Sequence, residues 1–426
     1  MTLNTSHWTI CLKCQGRGKI NKGLRKKVRL RFQRALDEFE KSNGEGPVPI
    51  RPKAHLDICV NCKGAGLVPS ATRHPINENY PHVAIIGGGI GGVALAVACM
   101  HRGIPFTLFE RDSGFESRSQ GYGLTLQQAS RAIEGLGLYS LEDGVVSTRH
   151  LVHTTEGQVV GEWGVRSLGP QDKRTLPKRT NVHIARQSLR FELLKQLQGH
   201  DGVQWGHQLL DFQPSAANDN PGVDLRFMVA GQPSQIKQVH ADLVVGADGI
   251  RSSVRKQLLG EGSESLRYLG CIVILGICSL DRINVANCSL LDSATVFQTA
   301  NGTERMYMMP YKSDSVMWQL SFPLLESEAT ALSALGPLAL KEEALKRCQW
   351  HDPIPQIISA TPHAQVSGYP VYDRELLQAE KLQQGGDITL IGDAAHPMSP
   401  FKGQGANQAL LDALSLARAI ARRCRT

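Results

Sequence analysis

The 426-residue sequence lacks the charged start and following apolar run of a secretory signal sequence, since it opens with MTLNTSHWTI. An uncharged stretch at residues 83–100, VAIIGGGIGGVALAVACM, approaches the roughly 20 residues that a membrane-spanning helix needs. Five of the six residues from 87 to 92 are glycine, however, and glycine weakens a helix interior. We therefore expect no transmembrane segment and interpret this stretch as a nucleotide-binding turn.

The cysteines give no indication of a disulfide framework. Four of the ten form two CxxC pairs, and the other six are scattered among apolar neighbours. This pattern favours a reducing compartment, so we expect a cytoplasmic protein. With 41% apolar residues, a chain of this length can bury a sizeable core.

Positive charge is concentrated at the N-terminus. Residues 1–80 contain 15 Lys and Arg against 6 Asp and Glu, whereas the remaining residues contain 32 against 33. The change in charge coincides with a change in cysteine pattern and with the turn-rich sequence VPSATRHPINENYPH. These features predict a domain boundary near residue 80.

The segment HVAIIGGGIGGVALAVACMHRGIPFTLFERD predicts a strand, a glycine loop, a helix and a second strand. Its GxGxxG glycines would let the backbone approach a pyrophosphate, whose charge is favoured at a helix N-terminus. An acidic residue 18 positions after the last of these glycines suits an adenosine ribose. A purely structural glycine turn is the alternative. The predicted cofactor contacts here are Gly87, Gly89, Gly91, Gly92, Glu110 and Arg111.

Two later segments repeat the pattern of a strand, a polar turn and a helix start. HADLVVGADGIRSSVRKQL has Asp248 and Gly249 at its centre, and DITLIGDAAHPMSPFKGQGANQALLDALSLARAIARR has Asp393 after an apolar strand. In the second segment, glycines stand at the start of a long amphipathic helix.

These three motifs, in this order, resemble the group A flavoprotein monooxygenases of the para-hydroxybenzoate hydroxylase type, including the salicylate hydroxylase and tetracycline-hydroxylase branches. The resemblance runs from about residue 81 to the C-terminus and includes GYGLTLQQASRAIEGLGL, similar to a flavin-facing loop and following helix, and IARQSLRFELL. It implies an α/β, Rossmann-like FAD-binding domain with an interleaved, α+β substrate domain built on a β-sheet.

The resemblance also implies roles for individual residues. Glu110 would bind the adenosine ribose, Arg186 the linker region of FAD, and Asp393 a ribityl hydroxyl. The N-terminus of the last helix would stabilise negative charge near N1 and the C2 carbonyl of reduced flavin. His396 is expected to be structural, and Asn407 is either a ligand or a helix-turn residue; no catalytic acid or base is identified. Further expected cofactor contacts are Asp248, Gly249, Pro400, Gly403, Gly405, Ala406 and Asn407.

The implied activity is hydroxylation of an aromatic or polyketide-like small molecule by FAD, NAD(P)H and O₂ through a C4a-hydroperoxyflavin. No second GxGxxG occurs, so we expect NAD(P)H to bind transiently without a domain of its own. The absence of WxWxIP disfavours a halogenase. Relatives usually continue beyond the last helix, so the end at Thr426 favours a truncated gene model, which puts turnover in doubt more than FAD binding.

The region between the motifs is expected to bind the substrate. The segments HLVHTTEGQVVGEWGVR, YLGCIVILGICSL and ERMYMMPYKSDSVMWQLSF read as strands, the last with a turn at residues 311–314. Most of Met306, Met308, Trp318 and Gln319 are expected in the core, the rest at a pocket. The predicted domains are an N-terminal zinc module (1–79), an FAD-binding domain (80–150, 180–262 and 368–426) and a substrate domain (151–179 and 263–367).

The N-terminal segments CLKCQGRGK and CVNCKGAG are two copies of CxxCxGxG. Their four cysteines, Cys11, Cys14, Cys59 and Cys62, predict a tetrahedral zinc site, with a redox CxxC or unligated thiols as alternatives. The pair resembles the cysteine-rich zinc domain of J-domain co-chaperones, of which two of the four repeats are present. Because every flavin motif lies beyond residue 80, we expect FAD content to be independent of these thiolates.

An amphipathic helix is predicted between the two copies, with apolar residues at Leu24, Val28, Phe32, Leu36 and Phe39. Its basic residues precede its acidic ones, an order that opposes the helix dipole, so packing or a protein partner would have to stabilise it. Its two phenylalanines belong to the apolar stripe and are not interleaved on the basic face for base stacking, which disfavours nucleic-acid binding. The alternative function is a non-catalytic flavin-fold protein that binds partners through this basic zinc module.

Overall fold

A computed structural model describes most of the chain. The described residues are 7–117, 122–130, 132–164, 181–215, 221–260, 265–284, 288–383 and 385–424. Among them, no helix combines the length and the apolarity that a membrane span requires.

The strands are numbered in chain order. They are β1 (His7–Ile10), β2 (Lys19–Asn21), β3 (Leu56–Ile58), β4 (Leu67–Ser70), β5 (Val83–Ile86), β6 (Phe106–Glu110), β7 (Gly123–Leu126), β8 (Val145–Val146), β9 (Arg149–His153), β10 (Val159–Trp163), β11 (Val182–Ala185), β12 (Val203–Trp205), β13 (His207–Pro214), β14 (Val223–Val229), β15 (Gln232–Ala241), β16 (Leu243–Gly246), β17 (Arg267–Ser279), β18 (Thr295–Ala300), β19 (Arg305–Lys312), β20 (Ser315–Pro323), β21 (Val366–Asp373) and β22 (Ile388–Leu390).

The helices follow the same numbering. They are α1 (Lys26–Lys41), α2 (Ile90–Met100), α3 (Arg186–Gln196), α4 (Ser253–Leu259), α5 (Glu326–Ala334), α6 (Pro337–Arg347), α7 (Ile354–Ala360), α8 (Ala379–Gln383) and α9 (Gly405–Arg423).

A five-stranded parallel sheet in the order β12-β6-β5-β16-β22 brings the three sequence motifs together. Strand β5 reads VAII and is buried at every residue, as expected for a strand that is covered on both faces. Because parallel strands end at the same edge, the turns after β5, β16 and β22 meet there. Residues separated by about 300 positions in sequence therefore become neighbours.

A seven-stranded sheet in the order β10-β9-β18-β19-β20-β17-β21 forms the second large unit. One face packs against α5, α6 and α7 in a core that contains the fully buried Met306, Met308 and Trp318. The three segments expected to form strands do so, and residues 313 and 314 make the turn between β19 and β20. Strand β21 belongs to this sheet, so the expected domain limit at residue 368 falls inside a strand.

The α-helix expected after the flavin-facing loop is not found among the described residues. Two 3₁₀ turns, Gln128–Ser130 and Ile133–Leu136, take its place on either side of residue 131, which lies outside the described residues. Two glycines in the sequence IEGLG weaken helix formation there, and Gly137 ends the second turn with a positive φ of 79°.

The N-terminal segment contains two antiparallel ribbons, β1 with β4 and β2 with β3, and α1 connects β2 to β3. The predicted helix is present, but none of its residues is buried. Packing within the described residues therefore does not cover the apolar stripe of α1.

Candidate cofactor and substrate site

One cavity of about 940 Å³ opens between the edge of the parallel sheet and the seven-stranded sheet. Its volume lies near the upper end of the range for ligand sites, which suits a large cofactor together with a small substrate. Of the predicted cofactor contacts, those that line it are Gly89, Gly91, Arg111, Arg186, Asp248, Gly249, Asp393, Pro400, Gly403, Gly405 and Ala406. The predicted contacts outside its lining are Gly87, Gly92, Glu110 and Asn407.

The first glycine loop, residues 87–92, is compact because its last glycine packs against the carbonyl group of its first. A Cβ atom on Gly92 would lie 1.9 Å from the carbonyl oxygen of Gly87, a distance that no side chain could tolerate. Gly89 has no atom within 4 Å of the corresponding position, so the backbone before α2 is open towards the cavity. The buried Arg190, which the sequence analysis missed, donates from Nε to the carbonyl oxygen of Gly88 at 2.6 Å.

Glu110 holds this loop in place through hydrogen bonds to its backbone. Its two carboxylate oxygens accept hydrogen bonds from the backbone N–H of Gly88 at 2.7 Å and of Asp112 at 3.0 Å. The side chain is 9% exposed, and the adjacent Arg111 lines the cavity. A carboxylate oxygen can accept more than one hydrogen bond, so these contacts leave room for a ligand hydroxyl.

Asp248 caps the start of α4. It accepts hydrogen bonds from the Ser252 hydroxyl at 2.5 Å and from the Ser253 N–H at 2.7 Å. Burial raises the pKa of Asp248, and these hydrogen bonds oppose that shift. Arg255, on the same helix, is 2% exposed and donates to the carbonyl oxygens of residues 394 and 395, which ties this turn to the one after β22.

Asp393 presents its carboxylate to the cavity. Burial raises its pKa, and the nearby charges of Arg186 and His396 act in the opposite direction. Arg186 begins α3, donates to the hydroxyl of Tyr122, and lies over that ring at 5.1 Å from its centroid. An acceptor and a cation thus lie on the same cavity wall.

Helix α9 begins at the cavity and carries no side-chain cap. Its first-turn N–H groups are therefore available to an anionic ligand. Asn407 is 1% exposed and makes four backbone contacts: it accepts from the N–H of Gln127 and Ala129 and donates to the carbonyl oxygens of Thr125 and Gly403. Its side chain has no hydrogen-bonding capacity left for a ligand.

The contacts of His396 indicate a structural role and not that of a catalytic base. Its Nε2 atom lies 2.6 Å from Oδ2 of Asp412 on α9. This hydrogen bond raises the pKa of His396 against the opposing effect of burial. Asp412 also accepts from the N–H of Gly392 at 3.0 Å, so the pair fastens the turn to the helix.

The cavity-facing side of the seven-stranded sheet carries polar groups that the sequence analysis did not single out. Arg305 donates from Nε to the side-chain oxygen of Gln298 at 3.0 Å and stacks over Tyr307 at 5.3 Å. Among the described residues no carboxylate pairs with this guanidinium. Of the four residues discussed as core or pocket, only Gln319 lines the cavity.

His183 adds a neutral group to the same cavity. It is 1% exposed, and its Nδ1 atom lies 2.9 Å from the hydroxyl of Thr125. Burial lowers the pKa of His183 to about 4, so the ring is uncharged at neutral pH. Strand alternation could have suggested inward-facing positions here, but not which strands border the cavity.

These features fit FAD. The open backbone beside Gly89 and the uncapped start of α9 could supply N–H donors for phosphate and flavin oxygens, and Glu110 and Asp393 could supply acceptors for sugar hydroxyls. These residues thus offer donors of the kind that phosphate and flavin oxygens require and acceptors of the kind that sugar hydroxyls require.

The four N-terminal cysteines form a second cluster. Their Sγ atoms all lie within 4.8 Å of one another, and each thiol is buried. The two CxxCxGxG copies are arranged alike: the N–H of Gly18 donates to Sγ of Cys14, and the N–H of Gly66 donates to Sγ of Cys62, both at 3.2 Å. Four such sulfur atoms could hold a metal ion.

Comparison with known proteins identifies the class. Residues 80–426 match the family model described as FAD binding domain, so the chain belongs to that family. It is 30% identical over 344 residues to an aurachin C monooxygenase/isomerase of Stigmatella aurantiaca, covering 79% of this chain and 80% of that protein. It is 27% identical to a 3-amino-4-hydroxybenzoate 2-monooxygenase of Streptomyces platensis, with 80% of each chain covered.

Solved structures share the fold. HpxO of Klebsiella pneumoniae, complexed with FAD and uric acid, matches with a TM-score of 0.64 at 22% identity, over 81% of this chain and 80% of that one. The 2,6-dihydroxypyridine-3-hydroxylase of Arthrobacter nicotinovorans matches with a TM-score of 0.65 at 18% identity, over 81% and 84%. The predicted family, fold class, FAD cofactor and relationship to monooxygenases are confirmed, and the non-catalytic alternative gains no support.

Proposed function

We propose that this protein uses NAD(P)H and O₂ to hydroxylate an aromatic substrate that carries an anionic or strongly hydrogen-bond-accepting group. The observation that carries the proposal is the single cavity shared by the motif turns and the seven-stranded sheet. The similarity to an aminohydroxybenzoate monooxygenase supports an aromatic acid as the substrate class.

In this proposal the cofactor contacts keep the roles inferred from the sequence. Glu110 accepts from the adenosine ribose, Arg186 contacts the linker, and Asp393 accepts from the ribityl chain. Gly87 and Gly92 shape the loop without touching the ligand, and Asn407 positions the loop before α9. The other cavity-lining residues of the predicted set border the cofactor directly.

Bound FAD would supply the chemistry, which is reduction by NAD(P)H and activation of O₂ for transfer of one oxygen atom. The protein would orient the substrate and exclude water. The start of α9 would favour negative charge on the ring system, because a helix N-terminus stabilises anions. Buried apolar residues such as Met309 and Met317 would keep the substrate end of the cavity dry.

Arg305 is the proposed anchor for the substrate. Burial lowers its pKa, but a guanidinium remains charged at neutral pH. A partly buried cation with a neutral amide and a ring as its partners is suited to an incoming carboxylate, which it would bind by charge-assisted hydrogen bonds. Gln298 and Tyr307 would hold the guanidinium in place.

The test combines flavin content with substrate-dependent turnover. The purified protein should bind FAD and consume NAD(P)H and O₂ faster with amino- or hydroxybenzoates than with the corresponding neutral amides. The Arg305→Met variant should retain FAD but raise KM for the acids about 10- to 150-fold, as expected for loss of a hydrogen bond to a charged group. Arg267→Met removes an exposed cation from the same sheet and serves as the control.

Colourless protein that cannot be reconstituted with FAD would contradict the proposed activity. An unchanged KM in Arg305→Met would contradict the anchor alone. We also propose a cytoplasmic location, because the cysteines among the described residues are all free. A protein partner for the exposed helix α1 remains a further proposal.

A further inference from the structure

Two arginines of the flavin-type region, which comprises residues 80–426, lie against the cysteine cluster. Arg102 follows the end of α2 and is 1% exposed. Its Nε atom lies 4.0 Å from the position that a Cβ atom on Gly16 would occupy. Arg418, on α9, donates from Nε to the carbonyl oxygen of Gly16 and from Nη2 to that of Ala65, both at 3.1 Å.

These two cations have no carboxylate partner among the described residues. Arg102 donates from Nη1 to the carbonyl oxygen of Ala98 at 2.8 Å, and its Nη2 atom has no hydrogen-bond partner there. The groups that could carry an opposite charge near the pair are cysteines, as thiolates: Cys14 and Cys99 for Arg102, and Cys14 and Cys62 for Arg418. Two neighbouring cations, Arg102 fully buried and Arg418 partly buried, would be unfavourable without a counter-charge.

The cysteine cluster can supply that counter-charge. The sulfur atoms are close enough to bind one tetrahedral metal ion, and thiolates are the ligands that Zn²⁺ prefers in structural sites. Zn²⁺ with four thiolates carries a net charge of −2, which equals the combined positive charge of the two guanidinium groups. Neutral thiols would leave both cations uncompensated.

We propose that Cys11, Cys14, Cys59 and Cys62 hold Zn²⁺ as a dianionic centre whose charge is neutralised by Arg102 and Arg418. The zinc centre thereby joins the N-terminal segment to α2 and α9 of the flavin-type region. The inference does not depend on the proposed enzymatic function, because it concerns metal binding and stability.

Other contacts also link the N-terminal segment to the flavin-type region. Trp8 stacks on Tyr139 with ring centroids 4.4 Å apart, and a Cβ atom on Gly137 would lie 2.7 Å from the Trp8 ring. Arg418 lies on α9, and the first residue of this helix, Gly405, lines the cavity. The two residues are about 20 Å apart along the helix axis. The zinc centre would therefore stabilise a helix of the cofactor site, contrary to the independence expected from the sequence.

The first experiment measures zinc and thermal unfolding on the full chain. Wild-type protein should contain close to one equivalent of zinc, and Cys62→Ser should lose most of it. The midpoint of the main far-UV circular dichroism transition should fall by on the order of 5–10 °C, because two cations lose their counter-charge. Cys288→Ser, at a partly buried cysteine outside the cluster, is the matched control.

If Cys62→Ser does not fold, removal of zinc from the wild-type protein with 1,10-phenanthroline gives the same comparison. The midpoint should fall and should recover when ZnCl₂ is restored. Wild-type protein without zinc, or zinc loss that leaves the midpoint unchanged, would overturn the proposal. Circular dichroism needs no bound flavin, so failure of the proposed enzymatic activity would not affect the result.

The second experiment tests whether the contribution of Arg418 to the unfolding midpoint depends on bound zinc. Arg418→Met should lower the midpoint in the wild-type background, because it leaves the dianion partly uncompensated. In the Cys62→Ser background it should have no effect or raise the midpoint, because it removes an unpaired cation. Arg422→Met, an exposed position on the same helix, should change neither background. Equal losses in both backgrounds would overturn the charge pairing.

Discussion

The flavin-type region and the N-terminal segment reach ordered structures by opposite means. The flavin-type region has a continuous apolar core around the parallel sheet, and its chemical groups lie on turns at the edge of that core. In the N-terminal segment, the buried cluster consists of the four cysteines themselves, and the partly buried apolar residues packed against it in the described part of the chain are Ile20 and Val68. The first region can therefore fold before it binds a ligand, whereas in the second the ligand atoms are the core.

Both regions nevertheless contain a glycine packed so closely against a backbone carbonyl that no side chain would fit. At Gly92 and at Gly18 a backbone carbonyl oxygen lies where a side chain would start. An added Cβ atom would lie 1.9 Å from the carbonyl oxygen of Gly87 in the first case and 2.1 Å from that of Gly64 in the second. The first approach shapes the loop before α2, and the second packs one CxxCxGxG copy against the other. Matched substitutions at these two positions compare the two regions directly.

The largest effect is expected for Gly92→Ala. The clash is with the backbone, which cannot move aside as a side-chain end can, so we expect a loss of about 3 kcal/mol or more in the free energy of unfolding. Gly18→Ala should cost less overall, about 1–3 kcal/mol, and should release zinc. Chemical denaturation followed by circular dichroism, with metal analysis, measures both.

Gly89→Ala is the control for this comparison. An added Cβ there meets no atom within 4 Å, so stability should stay within about 0.5 kcal/mol of the wild type while FAD retention falls. If Gly18→Ala and Gly92→Ala lowered stability equally and both released zinc, the two regions would unfold as one unit.

An intermediate effect, confined to the cavity, is expected for Asp393→Asn. The substitution keeps the shape but removes the charge that strengthens a hydrogen bond from a sugar hydroxyl. The Kd for FAD should rise about 10- to 150-fold, which corresponds to 1.5–3 kcal/mol. Zinc content should not change. Flavin fluorescence titration measures the affinity, and the exposed Asp387→Asn, just before β22, is the control.

Unchanged FAD affinity in Asp393→Asn would contradict the proposed ribityl contact. A loss of zinc in the same variant would show that the cavity and the cysteine cluster are coupled through more than the arginine contacts.

Short-range patterns explain what could be predicted. Gly87, Glu110 and Asp393 each stand next to a strand whose apolar run is visible in the sequence, and parallel strands bring their ends together. The four cysteines were identified in the same way, because metal-ligand spacing is local. Asp393 lines the cavity, Gly87 and Glu110 lie outside its lining, and the four cysteines form one cluster, while the ligand contacts of these residues stay predictions.

Long-range contacts explain what was missed. Arg102 and Arg418 are ordinary basic residues in or next to helices. Nothing local shows that Arg102 lies near Gly16, 86 positions away, or that Arg418 contacts Gly16 and Ala65, more than 350 positions away. Arg305 likewise becomes informative only when the sheet register places it beside Gln298, without a carboxylate partner in the described part of the chain. Motif spacing says nothing about docking, so the contacts between the two regions could not be predicted, and the expected independence of FAD content from the thiolates stays a prediction.

The smallest effect is expected for His396→Gln, and it should depend on pH. The hydrogen bond to Asp412 raises the pKa of His396 in the folded protein. A raised pKa means that the folded state binds the proton more tightly than the unfolded state does. The resulting stability is fully present below the unfolded value of about 6.5 and is lost as pH rises through the folded value.

The His396→Gln variant should therefore lose on the order of 1–2 kcal/mol of unfolding free energy at pH 6 and clearly less at pH 9. Denaturant titrations at the two pH values, with the exposed His363→Gln as the control, measure the difference. Because Asp412 lies on α9 between the cavity and Arg418, the variant also tests how far that helix transmits a disturbance. A loss confined to the turn after β22 should leave zinc content unchanged, since the arginine contacts lie beyond it. An equal loss at both pH values would contradict a charged His396–Asp412 pair and would leave only a neutral hydrogen bond between the turn and the helix.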